Sequence, residues 1–185
     1  MSSIKEDLVH HYRWLRKYGY NDSHSGNASV REEDTIWVTP TGACADTLTA
    51  EDLVACSIDG TYGKNASFDA KLHLEVYKQN SKAKAVFHSH GPYTIALTMN
   101  GNDFIPEDFE GKLYFPNVPV HTISFDEYSD RSPQLVANTL HQHCITVVSG
   151  HGVYACAESI NLAYKWSCSL EHSAKIAFLN QQLKS

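Results

Sequence analysis

Three histidines are the residues of this sequence best placed to do chemistry. His88 and His90 stand in AVFHSHG (residues 85–91), an apolar run that ends in a glycine. Side chains alternate faces along a strand, so residues two apart point the same way. A strand over 84–90 therefore aims two imidazoles at one point, and Gly91-Pro92 stops it. His151 repeats the arrangement. It follows the apolar run 144–149 and sits between Gly150 and Gly152, which leave the backbone room to approach a ligand. Three protein ligands with a fourth position open is the pattern of catalytic zinc. Eleven histidines in 185 residues also make chance H-x-H pairs common, so surface or hydrogen-bonded histidine competes with the metal reading of the first pair. His141 and His143 form such a pair: they fall at a helix end in a polar setting and read as solvated or capping.

The elements that must carry these residues follow from periodicity. Ile4, Leu8, His11, Tyr12 and Leu15 form a helical stripe over 3–18, with Ser2 and Ser3 as caps and Gly19 as the stop. Strands are expected over 28–31 and 35–39 around the turn Glu32-Glu33-Asp34, and over 53–58. Thr49 caps a helical turn between the last two. A helix over 68–79 follows Ser67 and buries Leu72, Val76 and Tyr77. After the central strand come a short helix over 93–99, a loop over 101–117 and a strand over 118–124. Ser132-Pro133 starts a helix to about residue 140, with proline at its tolerated first position. Strands over 144–149 and 153–157 precede a long last helix, 160–183, capped by Ser159. The short early connections favour a mainly antiparallel mixed sheet flanked by helices, in a single α/β (α+β) domain over 1–185.

Composition narrows the function. The net charge is −6 with no basic block, which gives nucleic-acid binding no electrostatic support. No apolar run approaches the roughly 18 residues of a membrane span, and the charged amphipathic N-terminus has no signal-peptide core. The five cysteines show no CxxC spacing and read as reduced structural thiols, which fits the cytoplasm. Trp14, Trp37 and Trp166 lie on amphipathic elements and read as core, and His73 with Tyr77 reads as packing or support behind a ligand. His24 lies in a polar loop, where it is solvated or touches a substrate.

The ordered blocks GNAS-x-R, TPTG, LTAEDLV, D-x-x-x-H-x-x-x-Y, AVFHSHGPY-x-x-AL and SGHG resemble the class II aldolase/adducin family, over nearly the whole chain. The resemblance implies a class II aldolase-like fold and assigns His88, His90 and His151 as metal ligands, with Zn²⁺ the expected ion and Mn²⁺, Fe²⁺ or Co²⁺ as alternatives. It makes Asp69, four residues before His73, the functional carboxylate, either base or fourth ligand. It makes Gly26, Asn27, Ser29, Thr41, Gly42 and Ser67 the phosphate pocket, and Gly-rich turns with hydroxyl and amide donors do suit an oxyanion. It also implies a homotetramer with active sites between subunits.

The departures bear on the reaction. Aldolases of the family usually carry Glu where this chain has Asp69, whereas the epimerases carry Asp. The usual serine pair before that acid is Ser67-Phe68 here, so a ring replaces one phosphate-contacting hydroxyl. The epimerase's second acid falls on or near Lys112, and the aldolase's tyrosine falls near Glu110, with Tyr114 close by. Glu110, Tyr114 and Asp108 are therefore the candidate proton carriers from the loop. The chain stops soon after its last helix, so the tail tyrosine of fuculose-phosphate aldolases is expected to be absent. The expected function is a zinc-dependent lyase that cleaves or forms a C–C bond of a small hydroxyketone or sugar phosphate through a metal-stabilised enediolate. A sugar-phosphate 4-epimerase, or a 3-keto-acid decarboxylase or dehydratase, would use the same metal site. A non-catalytic adducin-like module fits least, because such heads lack the histidines that this chain retains.

Overall fold

Seven strands form one sheet in the order β3-β2-β1-β4-β7-β6-β5 in the computed structural model, which describes residues 3–184. The strands are β1 (Asn27–Glu32), β2 (Thr35–Val38), β3 (Val54–Ser57), β4 (Ala85–Ser89), β5 (Val120–His121), β6 (Ile145–Val148) and β7 (Gly152–Ala157). Every pairing is antiparallel except β5 with β6. The helices are α1 (Ile4–Lys17), α2 (Ala70–Gln79), α3 (Pro92–Thr98), α4 (Phe109–Tyr114), α5 (Tyr128–Leu140) and α6 (Ile160–Lys184). The fold is thus the expected mixed α/β arrangement, with a mainly antiparallel sheet between helices.

The alternation of β4 sorts the core. Val86 joins Ile36, Val38, Tyr154 and Cys156 under α2 and α5 on one face. Ala85 and Phe87 join Ala28 and Val30 on the other face, under α1 and the start of α6. All five residues of β4 are buried, as a strand covered on both faces must be. Ser3 caps α1 in a reciprocal box with Glu6; Ser2 lies outside the described residues. None of the three tryptophans is fully buried; Trp37 and Trp166 pack at the edge of the core, and Trp14 packs on His10, His11 and Tyr164.

Four expected boundaries move, each for a local reason. The 101–117 loop contains α4, which Asp108 caps through Gly111 N–H at 2.9 Å and which lies against α6. The 118–124 strand shrinks to two residues because Pro119 has no N–H to give a ladder; its carbonyl instead accepts from Val147 N–H at 3.0 Å and the Thr146 hydroxyl at 2.9 Å. Helix α5 begins at Tyr128, not at Ser132. A 3-10 turn over Phe125–Glu127 feeds directly into it, and Pro133 is accommodated inside the helix. Helix α2 begins at Ala70, so Asp69 is its cap residue and not part of its first turn, and the carboxylate makes no capping bond.

The corner between β4 and α3 is held from below. The buried Glu171 carboxylate of α6 accepts from Tyr93 N–H at 2.9 Å, Thr94 N–H at 3.0 Å and the Thr94 hydroxyl at 2.7 Å. Gly91 is required there, since a Cβ would run into that carboxylate. Glu171→Ala would strand three donors in a dry site. The expected cost is about 3 kcal/mol, read as a lower urea midpoint with an unchanged m-value.

Candidate metal centre

His88 is the pivot of the site. Its ring nitrogen Nδ1 lies 3.0 Å from the Val153 carbonyl. A nitrogen facing a carbonyl must carry the proton, so the lone pair of His88 sits on Nε2. That Nε2 lies 2.8 Å from His90 Nε2 and 3.2 Å from His151 Nε2. All three ligand nitrogens gather within 4.8 Å of one another. The His88 lone pair thus faces two further ring nitrogens, a donor set suited to a cation. A tetrahedral ion with Zn–N bonds of about 2.0–2.1 Å would hold its nitrogens about 3.3 Å apart, close to the 3.2 Å between His88 and His151 and wider than the 2.8 Å between His88 and His90. The three histidines are therefore positioned to hold a metal ion.

The chain places them by three devices. His88 is the fourth residue of β4, and His90 follows just past the strand end on the same side. His90 N–H is fixed by the Tyr20 carbonyl at 2.8 Å and Asn21 Oδ1 at 2.9 Å. His151 stands in the turn from β6 to β7, and Gly152 beside it is packed so tightly against the Ser89 carbonyl and the rings of His88 and His90 that no side chain would fit. Burial and the neighbouring His90 push His88 well below the usual imidazole range. Burial and His151 bring His90 down to about 4, and burial lowers His151. All three are neutral at neutral pH, the form that binds metal.

Asp69 stands beside the triad, with Oδ2 3.9 Å from His88 Nε2. Asn27 Nδ2 donates to Oδ2 at 2.9 Å, the Tyr154 hydroxyl to Oδ2 at 3.2 Å and the Tyr128 hydroxyl to Oδ1 at 2.9 Å. The two tyrosine hydroxyls also touch each other. Burial pushes the Asp69 carboxyl up, but His88 and the hydrogen bonds from Asn27 and Tyr128 outweigh it, and the group is held below the usual carboxylate range. It is an ionised acceptor at the wall of a cleft of about 810 Å³.

That cleft also gathers Gly26, Asn27, Thr41, Gly42 and Ser67, together with His24 at its exposed edge. Ser29 is not among them. It lies on the same strand face as Asn27 but two residues deeper, and is fully buried where its hydroxyl meets His73 Nδ1 at 2.6 Å and Tyr77 at 2.8 Å. The pocket role expected of Ser29 is thus replaced by a structural one, and burial keeps His73 neutral by bringing it down to about 4. Glu110 and Asp108 line a separate cavity of about 270 Å³ with Cys168 and His172. Tyr114 packs on Trp166 under Lys165. The three loop candidates stay out of this chain's own cleft because α4 docks on α6, on the sheet face opposite α2 and α5. His141 bonds the Gln79 carbonyl at 2.8 Å, away from the cleft.

Two tyrosines of the site escaped the sequence reading. Tyr154 is paired in register with His88 on the neighbouring strand, and its ring lies flat on that imidazole, centroids 4.1 Å apart. Its signal was available: a polar-tipped ring in an apolar strand, three residues after His151. Tyr128 had none, because it lay ahead of the expected helix start.

The family model described as class II aldolase and adducin N-terminal domain matches residues 6–178. The chain belongs to the class II aldolase and adducin family. A relative from Methanocaldococcus jannaschii, named L-fuculose phosphate aldolase, is 27% identical over 97% of this chain and 98% of that protein. A Haemophilus influenzae protein named 3-oxo-tetronate 4-phosphate decarboxylase is 30% identical over 97% of this chain and 89% of its own length. The crystal structure of L-fuculose-1-phosphate aldolase from Thermus thermophilus superposes with a TM-score of 0.92 at 27% identity, covering 98% of this chain and 95% of that one. Class II aldolase-like relatives thus share the fold along its full described length, and they carry more than one reaction name.

Proposed function

We propose that the protein is a zinc-dependent lyase of the class II aldolase type, which cleaves or forms a C–C bond in a small hydroxyketone or sugar phosphate. The observation that carries this reading is an ionised, triply hydrogen-bonded carboxylate next to three neutral histidines at an open cleft. His88, His90 and His151 would hold the ion, which supplies Lewis-acid polarisation of a carbonyl. Asp69 then moves the proton, taking it from carbon or hydroxyl of the bound substrate with an oxygen oriented by Asn27 and the two tyrosines. Thr41, Gly42 and Ser67 border the cleft where the rest of the substrate would lie.

Decarboxylation of a 3-oxo acid is the second reading, favoured by the Haemophilus influenzae relative's name. It draws on the same polarised carbonyl. Epimerisation lacks support, since no second acid accompanies Asp69 in the cleft among the described residues. We further infer one domain over the whole chain, in keeping with the family match over 6–178, and a homotetramer. Exposed Phe109 and Leu113 on α4, with Leu179 and Leu183 on α6, support contact between copies. Five free thiols support a reducing compartment such as the cytoplasm.

The reaction class is tested by incubating zinc-loaded protein in D₂O with phosphorylated and unphosphorylated hydroxyketones. Exchange of the C–H next to the carbonyl, followed by NMR, is the expected result. Added aldehyde then separates C–C bond formation from exchange alone, and CO₂ release from a 3-oxo acid panel reports the decarboxylase reading. No exchange with any hydroxyketone, at full metal content, would rule out the lyase.

A further inference from the structure

His88 and His90 are aimed in different ways. His88 Nδ1 rests on the Val153 carbonyl, whereas His90 makes no hydrogen bond through Nδ1 among the described residues. A hydrogen bond at the second ring nitrogen is the usual device for orienting a histidine ligand, and His90 lacks it. Its ring goes where the main chain puts it.

That main chain is gripped on both sides. Before the ring, His90 N–H is given to the Tyr20 carbonyl and to Asn21 Oδ1. After it, Gly91 rests on the Glu171 carboxylate so closely that a Cβ would come within 2.2 Å of Oε2. The same carboxylate accepts from the N–H groups of Tyr93 and Thr94 and from the Thr94 hydroxyl, the donors at the start of α3. Glu171 is buried on α6, which packs along both β4 and α3. It does not act on the ring by charge: besides burial, the groups that the His90 imidazole feels are His151, Asp22 and Asp69.

We propose that Glu171 is a positioning residue of the metal centre: through Gly91 and the start of α3 it sets where His90 Nε2 stands, and so how tightly the ion is held. This rests on the metal reading above and adds to it a residue that lines no part of the cleft. A ligand has to be kept within about 0.5 Å of its productive place. Without the carboxylate, three donors are left in a dry site and the space under Gly91 opens, so the corner that carries His90 shifts to reach new partners.

The test measures zinc affinity by competition with a chromophoric chelator, beside urea unfolding of each metal-free protein. Glu171→Ala is expected to weaken zinc about tenfold or more. Leu140→Ala opens a cavity in the core at the end of α5 away from Tyr128, and is expected to leave zinc within about twofold. Glu171→Gln keeps the shape and an acceptor for Thr94 but turns an amide N–H toward that of Tyr93. It should weaken zinc about threefold or more, and it carries the comparison if the alanine variant does not fold. In the metal-free proteins, the ring ¹⁵N resonances of His90 should move in the Glu171 variants, while those of His88, held by Val153, stay in place. Zinc affinity equal to wild type in the folded Glu171 variants overturns the proposal, and so does an unmoved His90 ring. Equal weakening in Leu140→Ala also overturns it, since the effect would then be one of general stability. Failure of the underlying metal reading shows elsewhere: the wild type takes up no zinc, or His90→Ala takes it up equally well.

Discussion

His90→Ala is expected to lose the metal and, with it, all carbonyl-directed activity, while the protein stays folded. Nothing nearby can replace the lost nitrogen. The two carboxylates that act on His90 are already engaged: Asp22 accepts from His24 and Ser25 N–H, and Asp69 from Asn27, Tyr128 and Tyr154. Removing a group that merely supports a ligand costs about 10–100-fold in metal affinity, so removing a ligand should cost more than about 100-fold. The fold has little at stake. His90 lies past the end of β4, only partly buried, and its backbone bonds to Tyr20 and Asn21 do not involve the ring. Stability of the metal-free variant should therefore match that of the metal-free wild type within about 0.5 kcal/mol. Metal content after dialysis, with thermal melting of both metal-free forms, checks both halves. Full occupancy in the variant would remove His90 from the ligand set.

The ease with which the triad could be read has a physical source. Two-residue alternation is a property of any strand, and an apolar run ending at glycine marks where a strand stops, so AVFHSHG contains its own geometry. His151 is legible for the same reason, through the apolar run and the two glycines around it. That three donors meet on one carboxylate was not legible. Tyr128, Tyr154 and Asn27 come together from α5, β7 and β1, and no local rule relates residues so far apart in the chain. Ser29 shows the complementary error. Alternation correctly assigns its face, but depth along a strand depends on what packs above it, and here His73 and Tyr77 of α2 close over the hydroxyl. The loop candidates lie outside this chain's own cleft for a reason on a larger scale, since the face on which α4 docks is decided by the apolar surface of α6. Local periodicity carries directions; distances between elements come from packing.

Asp69→Asn separates the two roles open to this acid. Asp69 Oδ2 is 3.9 Å from His88 Nε2 and stands outside the group of atoms that gathers around the proposed ion. If it is the base, the asparagine variant keeps its zinc and loses about 10²–10⁴-fold in turnover, the usual worth of a positioned proton-transfer group. If it is a ligand, zinc falls with activity, as in His90→Ala. Stability supplies a third reading. The carboxylate accepts from three donors, and an amide puts an N–H where an acceptor is needed, facing either Tyr128 or the pair Asn27 and Tyr154. One conflict of that kind in a buried site should cost about 1–3 kcal/mol. Tyr128→Phe is the control, because it removes one donor but leaves the carboxylate ionised and held by Asn27 and Tyr154. A base merely steadied by Tyr128 should then lose far less turnover than in Asp69→Asn, with zinc unchanged. Equal losses in the two variants would instead make the Tyr128 hydroxyl, which also lines the cleft, a proton carrier in its own right.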